Sequence, residues 1–258
     1  MKTLLLIVDM QNDFCRPEGA LYVKGAEKDV ARLAKFIKDQ SDRIDHIIMT
    51  QDNHHVIDIS HPGFWEDNDG NPPAPFTGIS SDDVQKGIWR PRYEKEKAAL
   101  YIRELEKQGE FAHVIWPEHC IIGSSGAAIV NEIMEPVIAW ARKGNYFEVV
   151  IKGTNPLTEH FGALRANIPI ENSLETQLNT VLINKLQHFN TILLAGEARS
   201  HCVANTVKQM LEIDGIAGKL VILSDCMSDV TGFETLAIPV FEKAKAEGAA
   251  FISSTDGF

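Results

Sequence analysis

The chain has 258 residues, 44% of them hydrophobic, which is enough for a large α/β unit with a full core. Its 25 Lys and Arg against 36 Asp and Glu leave a formal charge of −11, which argues against nucleic acid or an anionic membrane as the main partner. No apolar run is long enough to span a bilayer, and the four cysteines are scattered with no C-x-x-C pair, so a reducing cytoplasm is expected and a disulfide framework is not.

The first apolar run, 3–8, ends in Asp9 and reads as a strand. Its apolar core is too short for a secretion signal and no small-residue cleavage site follows. A helical pattern over 27–40 leads to a second strand at 45–50. Residues 66–112 then break the rhythm. They begin polar and rich in Asn, Pro and Gly, and pass through Trp89-Arg-Pro-Arg-Tyr93 into a charged helix at about 94–107. A connection of this length is usually a lid, a flap or a decoration.

Further strands are expected at 113–116, 147–151, 191–195, 219–224 and 249–253, with helices at 126–142, 174–187, 201–214 and 233–247. The strands are continuous Leu, Ile and Val with little polar alternation, as in strands buried on both faces. The β-α-β-α order predicts one doubly wound α/β domain over 1–258, with a mainly parallel central sheet and helices on both faces.

Ligands of such sheets bind beyond the carboxyl ends of the strands. The residues just past the predicted strands are Asp9, then Asp52 with His54, then Trp116-Pro-Glu-His119, then Lys152, then Cys202. Each has an ordinary structural explanation alone, because Asp caps helices and Lys is normally solvated. Coincidence at five strand ends is far less expected.

Asp9, Lys152 and Cys202 form a chemically sensible trio: a sulfur nucleophile, an ammonium that stabilises it, and a carboxylate that takes and returns the proton. Cys202 is expected at a helix N-terminus, where unpaired N–H groups and the helix dipole favour a thiolate. Asp52, His54, His119 and, with less support, His61 offer oxygen and imidazole ligands suited to Zn²⁺, Mn²⁺ or Fe²⁺. Cys15 and Cys120 read as small packing residues, and Asp225 as a turn residue.

These segments resemble the isochorismatase-like cysteine hydrolases, and within them the nicotinamidases. The resemblance is carried by Ile7-Val-Asp-Met-Gln-Asn-Asp-Phe-Cys15, Thr50-Gln-Asp-Asn-His54, Trp116-Pro-Glu-His-Cys-Ile-Ile-Gly-Ser-Ser-Gly126, Val150-Ile-Lys-Gly153 and Gly196-Glu-Ala-Arg-Ser-His-Cys-Val203, in family order. It implies the isochorismatase-like hydrolase fold and Asp9, Lys152 and Cys202 as catalytic residues. It also implies an oxyanion hole from the N–H groups of Ala198 and Cys202, with a cis peptide at Glu197–Ala198. A substrate ring would lie between Phe14 and Trp116, with its nitrogen at a divalent metal, zinc foremost.

The activity implied is hydrolysis of a small carboxamide through a thioester, nicotinamide being the leading candidate, in a homo-oligomer. Two alternatives stand beside it: a cysteine hydrolase of another amide or ureido compound, and a catalytically silent binding protein using the insertion as its interface. Position 197 is Glu where nicotinamidases usually carry an apolar residue, and the 66–112 insertion is far longer than typical.

Overall fold

The computed structural model describes residues 2–109 and 112–258. In chain order its elements are β1 (Thr3–Val8), α1 (Asn12–Cys15), α2 (Ala26–Asp39), β2 (His46–Asp52), β3 (Trp65–Glu66), β4 (Gly78–Ile79), α3 (Ser81–Gln85), β5 (Arg90–Pro91), α4 (Lys95–Lys107), β6 (His113–Val114), α5 (Asn131–Ala141), β7 (Phe147–Lys152), α6 (Thr180–Gln187), β8 (Thr191–Gly196), α7 (Ala204–Met210), β9 (Leu220–Leu223), α8 (Ile238–Ala246) and β10 (Ala250–Ile252).

One six-stranded sheet has the order β10-β9-β8-β1-β2-β7, and every pairing in it is parallel. The chain winds outward from β1 through β2 to β7. It then returns to the other side of β1 with β8 and winds outward again. The β1–β8 pair is thus the point where the winding reverses, and the crevice beyond its carboxyl end is the natural ligand site of such a sheet. This is the doubly wound α/β architecture that the element order implied.

Alternation along β1 divides the core. Leu5 and Ile7 face the layer that holds Leu33 and Ile37 of α2 and Ile133 and Val137 of α5. Leu4, Leu6 and Val8 face the opposite layer, with Leu182 and Leu186 of α6, Val207 and Met210 of α7 and Ala244 of α8. A third cluster gathers Ala98, Tyr101, Ile102 and Leu105 of α4 with Ile59, Phe64, Trp65 and Ile115, so much of the insertion has its own small core. Glu110 and Phe111, within the predicted insertion, lie outside the described residues.

The structure corrects several boundaries. The expected strand at 113–116 is not in the central sheet: only His113–Val114 is extended, paired antiparallel with β4. Its apolar run is buried because Ile115 fills the insertion's core, a role that periodicity alone cannot separate from that of a sheet strand. The helix expected from 126 begins only at Asn131, and that expected from 174 is a short 3₁₀ turn at Leu174–Thr176 followed by α6. The helix expected from 233 begins at Ile238. β7 is an edge strand with Val149 and Ile151 exposed, so burial on both faces holds for β1 and not there. Among the described residues, no helix is long and apolar enough to cross a membrane.

Candidate active site

Asp9 follows β1 with a backbone φ of 45°, a left-handed conformation uncommon for a non-glycine residue. Thr50 on β2 holds it from both sides. Its Oγ1 accepts from the Asp9 N–H at 3.1 Å and donates to Oδ1 at 2.5 Å. Lys152 ends β7, two strands away, and its long stem carries the ammonium over the end of β2. There Nζ lies 2.8 Å from Asp9 Oδ2, 3.2 Å from Asp52 Oδ1 and 3.7 Å from Cys202 Sγ. Asp9, Asp52 and Cys202 each present an atom within 4.8 Å of the others.

Cys202 arrives from β8 through a tight turn. Gly196 sits at φ +140°, and a Cβ there would lie 2.1 Å from the Val8 carbonyl oxygen, so only glycine lets β8 end against β1. The Glu197–Ala198 peptide is cis. The chain then forms a π-turn over Arg199–Val203, with Val203 N–H bonded to Ala198 O at 3.1 Å, before α7 begins. The nucleophile candidate therefore sits inside this wide turn rather than at the N-terminus of an α-helix, a correction to the sequence expectation. Such turns recur at functional sites because they re-aim a side chain.

The electrostatics correct a second expectation. Burial pushes the Cys202 thiol well up, and the Asp9 and Asp52 charges add to this against the pull of Lys152. Burial of the sulfur beside Asp9 thus works against a standing thiolate. Asp9 is also raised, by burial first and then by Asp52, with Lys152 opposing. Lys152 is itself raised, since Asp52 and Asp9 outweigh burial. A carboxylate held ready to gain a proton, beside a thiol that holds one, is an arrangement for proton transfer.

Asp52, His54 and His119 bring one ligand atom each to within 4.8 Å of one another, all buried. His54 Nε2 is 3.1 Å from Asp52 Oδ2, while its Nδ1 is 3.1 Å from Asp58 Oδ2. Burial depresses His54, but the two carboxylates outweigh it and raise the imidazole well above its ordinary value. His119 is pushed down to about 3 by burial and by His54 and His61, so it is a neutral ring. His61 stands one step back, its Nε2 3.3 Å from His119 Nδ1. One carboxylate oxygen and two imidazoles form a donor set suited to a transition-metal dication.

Sequence reasoning missed Asp58, which orients His54 and accepts from Ser60 N–H and Oγ. The available signal was an acid four residues after a candidate ligand histidine. It also missed Gln11, whose amide donates to Asp52 O at 2.6 Å and accepts from Asp52 N–H at 2.7 Å, fixing the end of β2. Cys15 and Cys120 are buried with raised thiols, as packing residues would be.

Cys202 opens onto a small cavity of about 30 Å³ whose wall includes Phe14, Trp116, His119, Ala198 and His201. The two aromatics expected to hold a ring are therefore both in that wall. Trp116, Phe161 and His201 also face a second chamber of about 200 Å³, which Tyr101 and Leu105 of α4 line as well. Trp116, His201 and Phe233 pack with ring centroids 5.1–5.7 Å apart, and Trp116 and His201 border both spaces.

A doubly wound parallel sheet carries an acid, a lysine and a cysteine at its reversal point, beside a buried Asp-His-His group, and solved amidase structures share this fold. No protein-family model matches the chain. It is 26% identical over 217 residues to a nicotinamidase of Saccharomyces cerevisiae, covering 83% of this chain and 82% of that one. The solved yeast nicotinamidase bound to the inhibitor nicotinaldehyde superposes with a TM-score of 0.66 at 22% identity, covering 97% and 99% of the two chains. A Pyrococcus horikoshii pyrazinamidase in complex with zinc gives 0.59 at 18% identity, over 98% and 99%. In sequence and in fold the chain is therefore similar to nicotinamidases.

Proposed function

We propose that the protein is an amidohydrolase that cleaves a small aromatic carboxamide, nicotinamide foremost, to the acid and ammonia. The observation that carries this reading is the meeting of Asp9, Lys152 and Cys202 around one ammonium at the wall of a cavity. Similarity to the yeast nicotinamidase supports the choice of substrate.

In this reading Asp9 takes the Cys202 proton as Sγ attacks the carboxamide carbon. Backbone N–H groups of Ala198 and Cys202 receive the developing oxyanion; the Ala198 N–H has no acceptor among the described residues. Asp9 then gives the proton to the amide nitrogen, the C–N bond breaks and ammonia leaves a thioester on Cys202. A water deprotonated by Asp9 attacks that thioester, releasing the carboxylic acid and restoring the thiol. Lys152 keeps Asp9 in place and offsets the charge that moves between oxygen and sulfur.

Asp52, His54 and His119 would hold a divalent cation, with zinc the first choice and His61 adjacent. Bound there, the cation supplies a Lewis-acid anchor for a ring nitrogen of the substrate. Phe14 and Trp116 flank the ring. The cavity beside the sulfur has room for little more than water, so a ring binds there only if side chains of its wall shift.

The deciding experiment is ammonia release by the metal-loaded protein across nicotinamide, other aromatic amides and ureido compounds. Turnover led by nicotinamide is expected. Rapid turnover of a ureido compound with none of nicotinamide would transfer the reading to a different cysteine hydrolase.

A further inference from the structure

Glu197 is fully buried, although it lies at the turn that leads into the proposed oxyanion hole. Its Oε2 accepts from the Ser228 N–H at 3.1 Å, while Oε1 meets no donor among the described residues. That carboxyl faces Asp29 of α2, itself buried and held by Arg32 at 2.5 Å and by the Ser228 hydroxyl. Two carboxyls in contact away from water attract only if one carries the proton.

The surroundings identify which. Asp29 has two donors, Arg32 and Ser228 Oγ, whereas Glu197 has one, so the proton belongs on Glu197. Glu197 is accordingly pushed well above the ordinary glutamate value, by burial first and then by Asp29, with Asp229 adding. The other charged or titratable groups around it are Cys15 of α1, Arg32 of α2 and the Arg199–Asp229 pair.

The same contact closes a ladder. Gly196 N–H bonds Cys226 O at 3.1 Å, Arg199 N–H bonds Ser228 O at 2.7 Å, and Val230 N–H bonds Ser200 Oγ at 3.0 Å. The Glu197–Ser228 bond lies in the middle, next to the Ala198 peptide. We propose that Glu197 acts as a positioning residue: as a carboxylic acid bonded to Asp29 and Ser228, it locks the Ala198 N–H over Cys202. The role rests on the amide-hydrolase reading, whereas the shared proton does not.

A folded-state value above the unfolded one means that the contribution to stability is complete at low pH. It is lost as pH rises from the ordinary glutamate value toward the folded one. Ionisation places two like charges face to face and loosens the clamp. Glu197→Gln keeps a donor toward Asp29 and an acceptor for Ser228 but cannot ionise; Glu197→Ala removes both.

The test measures thermal midpoint, kcat and KM from about pH 6 to about pH 9 for wild type and both variants, with the metal-loaded protein. The expected result is an alkaline decline of the wild-type midpoint that E197Q flattens. At neutral pH, E197A should lose kcat by about tenfold to a hundredfold with KM changed far less, because a misplaced oxyanion donor acts on the transition state, and E197Q should restore most of it. An E197Q midpoint that declines with pH as the wild type does, or an E197A enzyme with wild-type kcat, overturns the proposal. If no carboxamide is turned over by any of the proteins, the amidase reading fails, and the midpoint profiles still decide whether Glu197 holds the proton.

Discussion

Replacing Lys152 by Met keeps an unbranched stem of similar length and removes the charge. In the wild type the ammonium touches Asp9 and Asp52 at 2.8 and 3.2 Å, and all three side chains are at most 7% exposed. Without it two carboxylates are left facing each other in the interior. Breaking a buried ion pair from one side costs about 3–5 kcal/mol, which in a chain of this size lowers the melting point by roughly 10 °C. The deficit should shrink as pH falls through the carboxylate range, because a proton on Asp9 or Asp52 relieves the repulsion. Urea unfolding of chelator-treated wild type and Lys152→Met at a series of pH values reads both effects. A deficit below about 1 kcal/mol with no dependence on pH would mean that the ammonium does not compensate these carboxylates, and the electrostatic account of the site would fail.

Asp58→Ala should weaken zinc binding by about 10–100-fold, since it frees the His54 ring that Asp58 orients. Competition with a chromophoric chelator measures this, and an unchanged affinity would exclude Asp58 from the metal group. Gly196→Ala should cost about 3 kcal/mol or more, because the new Cβ meets the Val8 carbonyl in a conformation that L-residues avoid. A melting point within a degree or so of wild type would show that β8 can end without a glycine.

The sheet was legible where the chain is uniformly apolar. β1 and β8 are bounded by charged or turn residues and buried almost throughout, and α2 carries its acids in the first turn and Lys38 in the last. The strand expected at 113–116 was misplaced because an apolar triplet looks the same in a sheet and in a side cluster. The positions of Asp9, Lys152 and Cys202 could be read from the rule that strand ends make sites. The state of the sulfur could not, because it depends on burial and on Asp52, which only the packed structure brings near. Glu197 was visible as an unusual residue for its place, but its partner Asp29 lies in a distant helix and no local pattern joins them.

The central claim is that Cys202 is the attacking atom of an amide hydrolase. The most direct measurement is ammonia release from nicotinamide by Cys202→Ala, with its melting point and metal content matched to wild type. The account predicts that turnover falls at least about a thousandfold, as for loss of a covalent nucleophile, in a protein that remains folded and loaded. Turnover within about tenfold of wild type in that same protein would contradict it, leaving the buried trio as an ion-pair network that stabilises the sheet edge and does no chemistry.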